Sequence, residues 1–206
     1  LKSEEEEQLD LINDAKVLGD HPNIANKSIS YLFSTNSIDW FYDRQLICDK
    51  VFNRIMKGIE KIKWKNEVLD EVKNITSKFT YPVLTIQIRT WRHKFDPPNI
   101  FDIRDGVIRD YNFETYKNAI DQFLPYVKTI FLTSDNDNVL PEYINYLKDY
   151  NVITYTQPSH ITQMQYSAAT MLIGSHCDML ICSRLSTYAE CIWWFGRCKA
   201  KVIPVF

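Results

Sequence analysis

Asp178-Met-Leu-Ile-Cys-Ser-Arg-Leu-Ser-Thr-Tyr-Ala-Glu190 reads as a buried strand that passes through a hydroxyl-bearing turn straight into a helix. Met179 to Cys182 is apolar without alternation, the pattern of a strand covered on both faces. Ser183, Ser186 and Thr187 fall where the chain turns, Tyr188 to Phe195 has helical character, and Gly196 is a stop signal. Such a turn presents backbone N–H groups at the positive end of a helix dipole, a setting that suits a phosphate. The same residues have a plainer use, with Ser186 or Thr187 capping the helix. From this segment by itself the cap is favoured.

Working outward, the same grammar recurs from Pro82 onward. Val83 to Ile88 predicts a strand, and Arg89 to Asp110 a long charged loop containing Pro97 and Pro98, a length that usually signals function. A helix over Phe113 to Tyr126 follows, then a strand over Thr129 to Thr133 and a helix over Val139 to Tyr150 with Pro141 in its first turn. A strand over Val152 to Tyr155 and a helix over His160 to Ile173 lead to the quoted segment, and Lys201 to Val205 is a last strand. Short apolar strands alternating with helices predict an α/β fold, a Rossmann-like parallel sheet with helices on both faces. Ligands of such sheets bind at the carboxyl ends of the strands. Before Pro82 the pattern is mainly helical: Glu4 to Leu18, a short strand at Ile29 to Phe33, a long helix from Ser37 or Asp39 to about Ile62, and Asn66 to Phe79. The expected division is a helical N-terminal segment over 1–80 and a Rossmann-like domain over 81–206.

A net charge of -2 gives no electrostatic footprint for nucleic acid. No apolar run is long enough to span a bilayer, so no membrane partner is expected. The acidic Glu4 to Glu7 opening is not a signal peptide, and a start at Leu1 leads to the expectation of further domains in a longer parent chain. Of five cysteines, Cys177, Cys182, Cys191 and Cys198 lie close in sequence without C-x-x-C spacing. Buried reduced thiols are expected rather than zinc ligands, in a reducing, cytoplasmic setting.

Three strand ends bring polar residues to the carboxyl edge. The first carries Arg89, Arg92, His93 and Asp96, the second Ser134-Asp-Asn-Asp137, and the fourth Ser183, Arg184, Ser186 and Thr187. Forked arginine donors with helix-start hydroxyls suit a diphosphate. Arg89 and Arg92 have an alternative use in loop ion pairs with Asp96, Asp102 or Asp105. Asp135-Asn-Asp137 fits either a D-x-D metal site or the cap and first turn of the next helix, and the cap is favoured. His160 and His176, flanking a helix, are set aside, and Trp193 and Trp194 are expected in the core.

Thr85-Ile-Gln-Ile-Arg89, the charged loop, and Tyr111-Asn-Phe-Glu-Thr-Tyr-Lys-Asn-Ala-Ile120 resemble the donor-binding half of the fucosyltransferase superfamily, which includes the α1,6-, α1,2- and protein O-fucosyltransferases. Phe131-Leu-Thr-Ser-Asp-Asn136 is similar to that group's second motif and Asp178 to Thr187 to its third; the three come in the family's order. The resemblance covers roughly residues 28 to 206 by pattern. It implies the C-terminal nucleotide-sugar domain of a GT-B enzyme and an inverting transfer of a sugar, fucose first, from a nucleoside diphosphate. The implied acceptor is a glycan or protein hydroxyl, with no metal or other cofactor. By position it implies Arg89 as the arginine on the β-phosphate, Ser183, Ser186 and Thr187 as the phosphate-holding turn, and Asp135 as the second-motif acid. Gln87 stands where the family often has His, and Thr90 where some members have a second Arg, a charge Arg92 is expected to replace. An acid that reads guanine is expected near Ala169, where only Ser167 and Thr170 stand, so the donor need not be GDP-fucose. Asp96, then Asp102, are the candidate bases. Two other readings remain open: a manganese-dependent GT-A-type glycosyltransferase using Asp135 and Asp137, and a non-catalytic domain that binds a nucleotide or glycan.

Overall fold

The computed structural model describes residues 42, 44–90, 112–183 and 186–205. Five strands, β1 (Val83–Ile88), β2 (Thr129–Ser134), β3 (Val152–Thr154), β4 (Met179–Ser183) and β5 (Lys201–Val205), form one parallel sheet in the order β3-β2-β1-β4-β5. The chain starts in the middle, runs out to β3, then crosses to β4 and β5, so the strand order reverses between β1 and β4. That is the switch point at which such sheets open a crevice. Helices α1 (Asp49–Glu60) and α2 (Asn66–Thr76) precede β1, and α3 (Phe113–Asp121), α4 (Leu140–Tyr146), α5 (Gln163–Gly174) and α6 (Thr187–Phe195) connect the strands.

Every residue of β1 is buried, its four aliphatic residues on both faces of a covered strand and its two polar ones, Thr85 and Gln87, with them. Leu84, Ile86 and Ile88 point to one face, where they pack with Tyr116 and Ile120 of α3 and Tyr143 of α4. On the other face Phe131 meets Ala169 and Ile173 of α5, and Leu180 and Cys182 meet Ile192 and Trp193 of α6. The sheet therefore has helices on both faces. Truncating Leu84, Ile86 or Ile88, each fully buried, to Ala costs about 2–5 kcal/mol by lost transfer energy and cavity. Thr85 is one of two polar residues buried in the strand, with Gln87: its hydroxyl donates to the Gly174 carbonyl at the end of α5, 2.9 Å away, so its burial is compensated. The helices before the sheet join its cores. Val68, Val72 and Ile75 of α2 pack with Ala169 and Ile173, and Ile47 and Phe52 with Trp193 and Trp194. At the amino edge the Asp178 carboxylate accepts from the Val83 N–H at 2.8 Å, tying the start of β1 to β4.

Two sequence expectations about the helices change, and the expected stop at Gly196 is met. The long helix ending near Ile62 is not continuous: a 3-10 turn at Arg44–Leu46 leads into extended Cys48 (φ -62°, ψ 146°), and α1 starts at Asp49. Tertiary anchoring overrides periodicity here, because buried Ile47 plugs into the α6 core while Arg44 holds the Ile47 carbonyl at 2.8 Å and Asp49 at 2.6 Å. The expected start at Ser37 or Asp39, and the elements predicted over Glu4 to Phe33, lie outside the described residues. The helix expected to reach Tyr126 stops at Asp121, and Pro125 sits in a separate 3-10 turn, Leu124–Tyr126. Gly196 does end α6, but with φ -73° it is not left-handed. A Cβ there would lie 2.9 Å from the Ser175 carbonyl oxygen, so close approach of two backbones requires the glycine.

Candidate functional site

At the carboxyl ends of β1, β2 and β3, roofed by the first half of α5, lies a cleft of about 500 Å³. Gln87 and Arg89 reach it from β1, Thr133 to Asp135 from β2, and Thr154 to Gln157 from β3. Tyr166, Ser167 and Thr170 face it from α5, and Tyr188 closes the side next to α6. Hydroxyls and amides dominate the lining, with Arg89, Asp135 and Asp137 as its charges. That volume holds a drug-sized or nucleotide-sized ligand.

Two side-chain clamps fix the backbone around Arg89. On one side Ser183, the last residue of β4, accepts the Arg89 N–H at 3.0 Å and lies 3.3 Å from the Arg89 carbonyl. Its hydroxyl also pairs with the Tyr116 hydroxyl in a buried bond. On the other side Asp135, just past β2, accepts from both the N–H of Thr90 (2.8 Å) and its hydroxyl (3.1 Å). The parallel register explains why these partners meet: Ile88 stands opposite Ser134 and Gln87 opposite Cys182, so the next residues out converge. Burial pushes the Tyr116 hydroxyl well above its ordinary pKa, so it remains a protonated donor at neutral pH.

Gln87 forms part of the cleft floor. It is 3% exposed, and its Oε1 has no hydrogen-bond partner among the described residues. The second carboxylate oxygen of Asp135 is likewise buried and without a partner. Buried acceptors left this way cost about 1–3 kcal/mol each, which a donor-bearing ligand recovers. The roof is held rigidly. Thr162 and Gln165 form a reciprocal capping box at the start of α5, with bonds of 3.3 and 2.9 Å. Tyr166 donates to the Tyr155 carbonyl at 2.8 Å and stacks on the Tyr155 ring with centroids 5.2 Å apart. Tyr188 donates to the Ser167 carbonyl at 2.8 Å, tying the start of α6 to α5.

Of the residues predicted from sequence, Arg89 and Asp135 line this cleft together. Ser183 sits beneath it with its hydroxyl committed to Arg89 and Tyr116. Ser186 takes the plainer role: 2% exposed, it caps α6 by accepting from the Ala189 N–H at 3.3 Å. Thr187 is exposed in the first turn of α6. Asn136 caps the 3-10 turn Asp137–Val139, whose first residue, Asp137, is exposed at the cleft; Asp135 reaches back to Thr90 instead of capping. Arg92, His93, Asp96, Asp102, Asp105 and Arg184 lie outside the described residues. Among the described residues no three His, Cys, Asp or Glu side chains converge as a metal site. His160 pairs with Glu71 of α2 at 3.2 Å. Sequence reading passed over Tyr116 and Tyr166, although a tyrosine on the apolar side of a helix carries a signal, since its hydroxyl must find a partner when buried.

No protein-family profile matches the chain, and no curated protein matches it in sequence. Among solved structures, POFUT1 in complex with GDP matches with a TM-score of 0.51 and 10% identity, over 78% of this chain and 51% of that one. The POFUT1 apo form matches with a TM-score of 0.51 and 12% identity over the same shares. NodZ α-1,6-fucosyltransferase soaked with GDP-fucose gives 0.49 and 14% identity, over 71% and 46%. The chain spans about half the length of these structures. At such identities the likeness is one of fold, and the chain has the fold seen in part of the POFUT1 structures.

Proposed function

We propose that the chain is the donor-binding half of an inverting GT-B glycosyltransferase. It would move a sugar, fucose first among candidates, from a nucleoside diphosphate to a hydroxyl of a glycan or protein. The observation that carries this reading is the placement of Arg89. It directly follows the central strand, its backbone is clamped by Ser183 and by the neighbouring Thr90–Asp135 pair, and it lines a nucleotide-sized cleft. The shared fold with a structure that binds GDP supports the ligand class.

In this account the guanidinium of Arg89 forks onto the diphosphate and stabilises the charge that builds as the sugar–oxygen bond breaks. Hydroxyls and amides of the cleft hold the nucleoside, and Gln87 Oε1 takes a donor from it. Ser183 and Tyr116 act as positioning residues, holding the end of β1 so that Arg89 is set before substrate arrives. The acceptor hydroxyl attacks the anomeric carbon from the face opposite the departing diphosphate and gives its proton to a carboxylate. Asp96 is the proposed base, and Arg92, His93 and Arg184 are proposed to complete the diphosphate site. The donor is a substrate, and no cofactor is proposed.

A manganese-dependent reading has one specific observation behind it: the Asp135 oxygen without a partner among the described residues and the exposed Asp137 line the same cleft. Calorimetric titration with GDP and UDP, each with and without manganese, separates the two. Metal-independent GDP binding that Arg89→Ala weakens tenfold or more is expected on the first reading.

A further inference from the structure

Among the described residues the strongest charged feature outside the cleft runs along α1. Lys50, Arg54, Lys57 and Lys61 recur at i, i+4, i+7 and i+11, which sets them in one stripe along the helix. Val51, Phe52 and Met56 face the opposite way, toward the body of the protein; Val51 and Phe52 pack beneath α6 and Met56 is buried. The stripe continues past the helix end in Lys61-Ile-Lys-Trp-Lys65. Between residues 50 and 65 six basic side chains stand against a single acid, Glu60, in a chain whose net charge is -2. Both acids of α1 lie off the stripe, Asp49 beside Arg44 at 2.6 Å and Glu60 beside Arg197 at 3.4 Å. An ordinary solvated helix face intersperses the two signs.

The turn after α1 adds apolar surface to this charge. Ile62 is 44% exposed between Lys61 and Lys63. Trp64 anchors the turn, its ring packed edge-on against Phe195 with centroids 5.7 Å apart. Exposed Arg197 and Lys199 of the α6–β5 connection lie alongside, brought there by the Arg197–Glu60 pair. Cations flanking an exposed aliphatic side chain on a rigid turn match an anionic lipid surface, where the lysines meet headgroups and the isoleucine enters the boundary. A nucleic acid or acidic protein would use the charge but has less use for the isoleucine.

We infer that α1 and the Lys61–Lys65 turn dock the protein on an anionic membrane surface. Docking needs no spanning segment. The Glu60–Arg197 and Trp64–Phe195 contacts place this turn by the end of α6, where β5 begins, at the edge opposite the carboxyl-end cleft. A docked protein would therefore keep its cleft open to solution.

Co-sedimentation of the 206-residue chain with phosphatidylcholine vesicles, and with vesicles of equal parts phosphatidylcholine and phosphatidylserine, tests the inference. Binding is expected only to the anionic vesicles and is expected to fall as salt rises. The triple variant Lys61→Ala/Lys63→Ala/Lys65→Ala should bind on the order of a hundredfold more weakly. Ile62→Ser should weaken vesicle binding and leave capture by heparin unchanged. These side chains are exposed, so both variants should melt with the parent; should the triple variant not fold, Lys57→Glu takes its place. Equal partition onto both vesicle types, or no partition, would overturn the inference. So would strong heparin capture with vesicle binding that is indifferent to Ile62→Ser, which would make the stripe a site for a soluble polyanion.

Discussion

Asp135 accepts two hydrogen bonds through one oxygen, from the backbone N–H and the hydroxyl of Thr90, and so joins the end of β2 to the residue that follows Arg89. A carboxylate in a D-x-D sequence is thereby used to hold a strand end. Replacing it with Ala leaves the partly buried Thr90 N–H unpaired and should cost about 1–3 kcal/mol, whereas Asp135→Asn keeps an acceptor and should cost about 1 kcal/mol or less. Urea midpoints of the two variants check this. Equal destabilisation would mean that the bond does not hold β1 to β2.

Ser183 is the corresponding clamp on the β4 side. Ser183→Ala takes partners from the Arg89 N–H and the Tyr116 hydroxyl together, and should cost about 1–3 kcal/mol. Tyr116→Phe leaves Ser183 with both Arg89 backbone groups and should cost about 0.5–1.5 kcal/mol. A double-mutant cycle should show coupling, since the two hydroxyls share one bond. Additive losses would contradict a shared hub.

Gln87 separates stability from binding. Its Oε1 is a buried acceptor without a partner among the described residues, so Gln87→Leu should leave the melting temperature unchanged or raise it. If the acceptor awaits a ligand, the same change should weaken nucleotide binding about tenfold. A destabilised variant with unaltered affinity would place the amide in the core's own hydrogen bonding.

Alkaline pH should weaken the fold. Burial pushes the Cys198 thiol from its ordinary value of 9.0 up to about 12, and Cys177 likewise. Below the unfolded value both states are protonated and the contribution is fully present. Above it the unfolded chain ionises first, so stability falls as pH rises from about 9 to about 12. Tyr116 and Tyr188, raised by burial, add to the loss in the same direction. Urea midpoints at pH about 7 and about 10.5 should differ in that sense; a flat profile would mean these groups ionise in the folded chain as they do in water.

The bounds of β1 were legible because five of the six residues between Pro82 and Arg89 are apolar or β-branched and admit little else, and β5 was read equally well. Parallel order followed from the alternation of strands with helices. The break before α1 was hidden, since Leu46, Val51, Ile55 and Ile59 keep helical spacing across it; only the burial of Ile47 against α6 decides the matter. At the site, residue type pointed to the carboxyl edge and to Arg89 and Asp135. What each hydroxyl does there was not legible. Ser183, Ser186 and Thr187 are near neighbours in sequence, yet one is a strand clamp, one a helix cap and one exposed, because a turn sends consecutive side chains to different surroundings. Gln87 could be named from sequence as a departure from a motif, but its missing partner is visible only in three dimensions.

The central claim is that Arg89 and its cleft bind the diphosphate of a nucleotide sugar. Isothermal titration of the parent chain and of Arg89→Ala with GDP, without metal, tests it most directly. The account predicts saturable binding by the parent, weakened about tenfold or more in the variant, with both proteins melting at the same temperature. Equal affinity in the two proteins, or binding only when manganese is added, would contradict it.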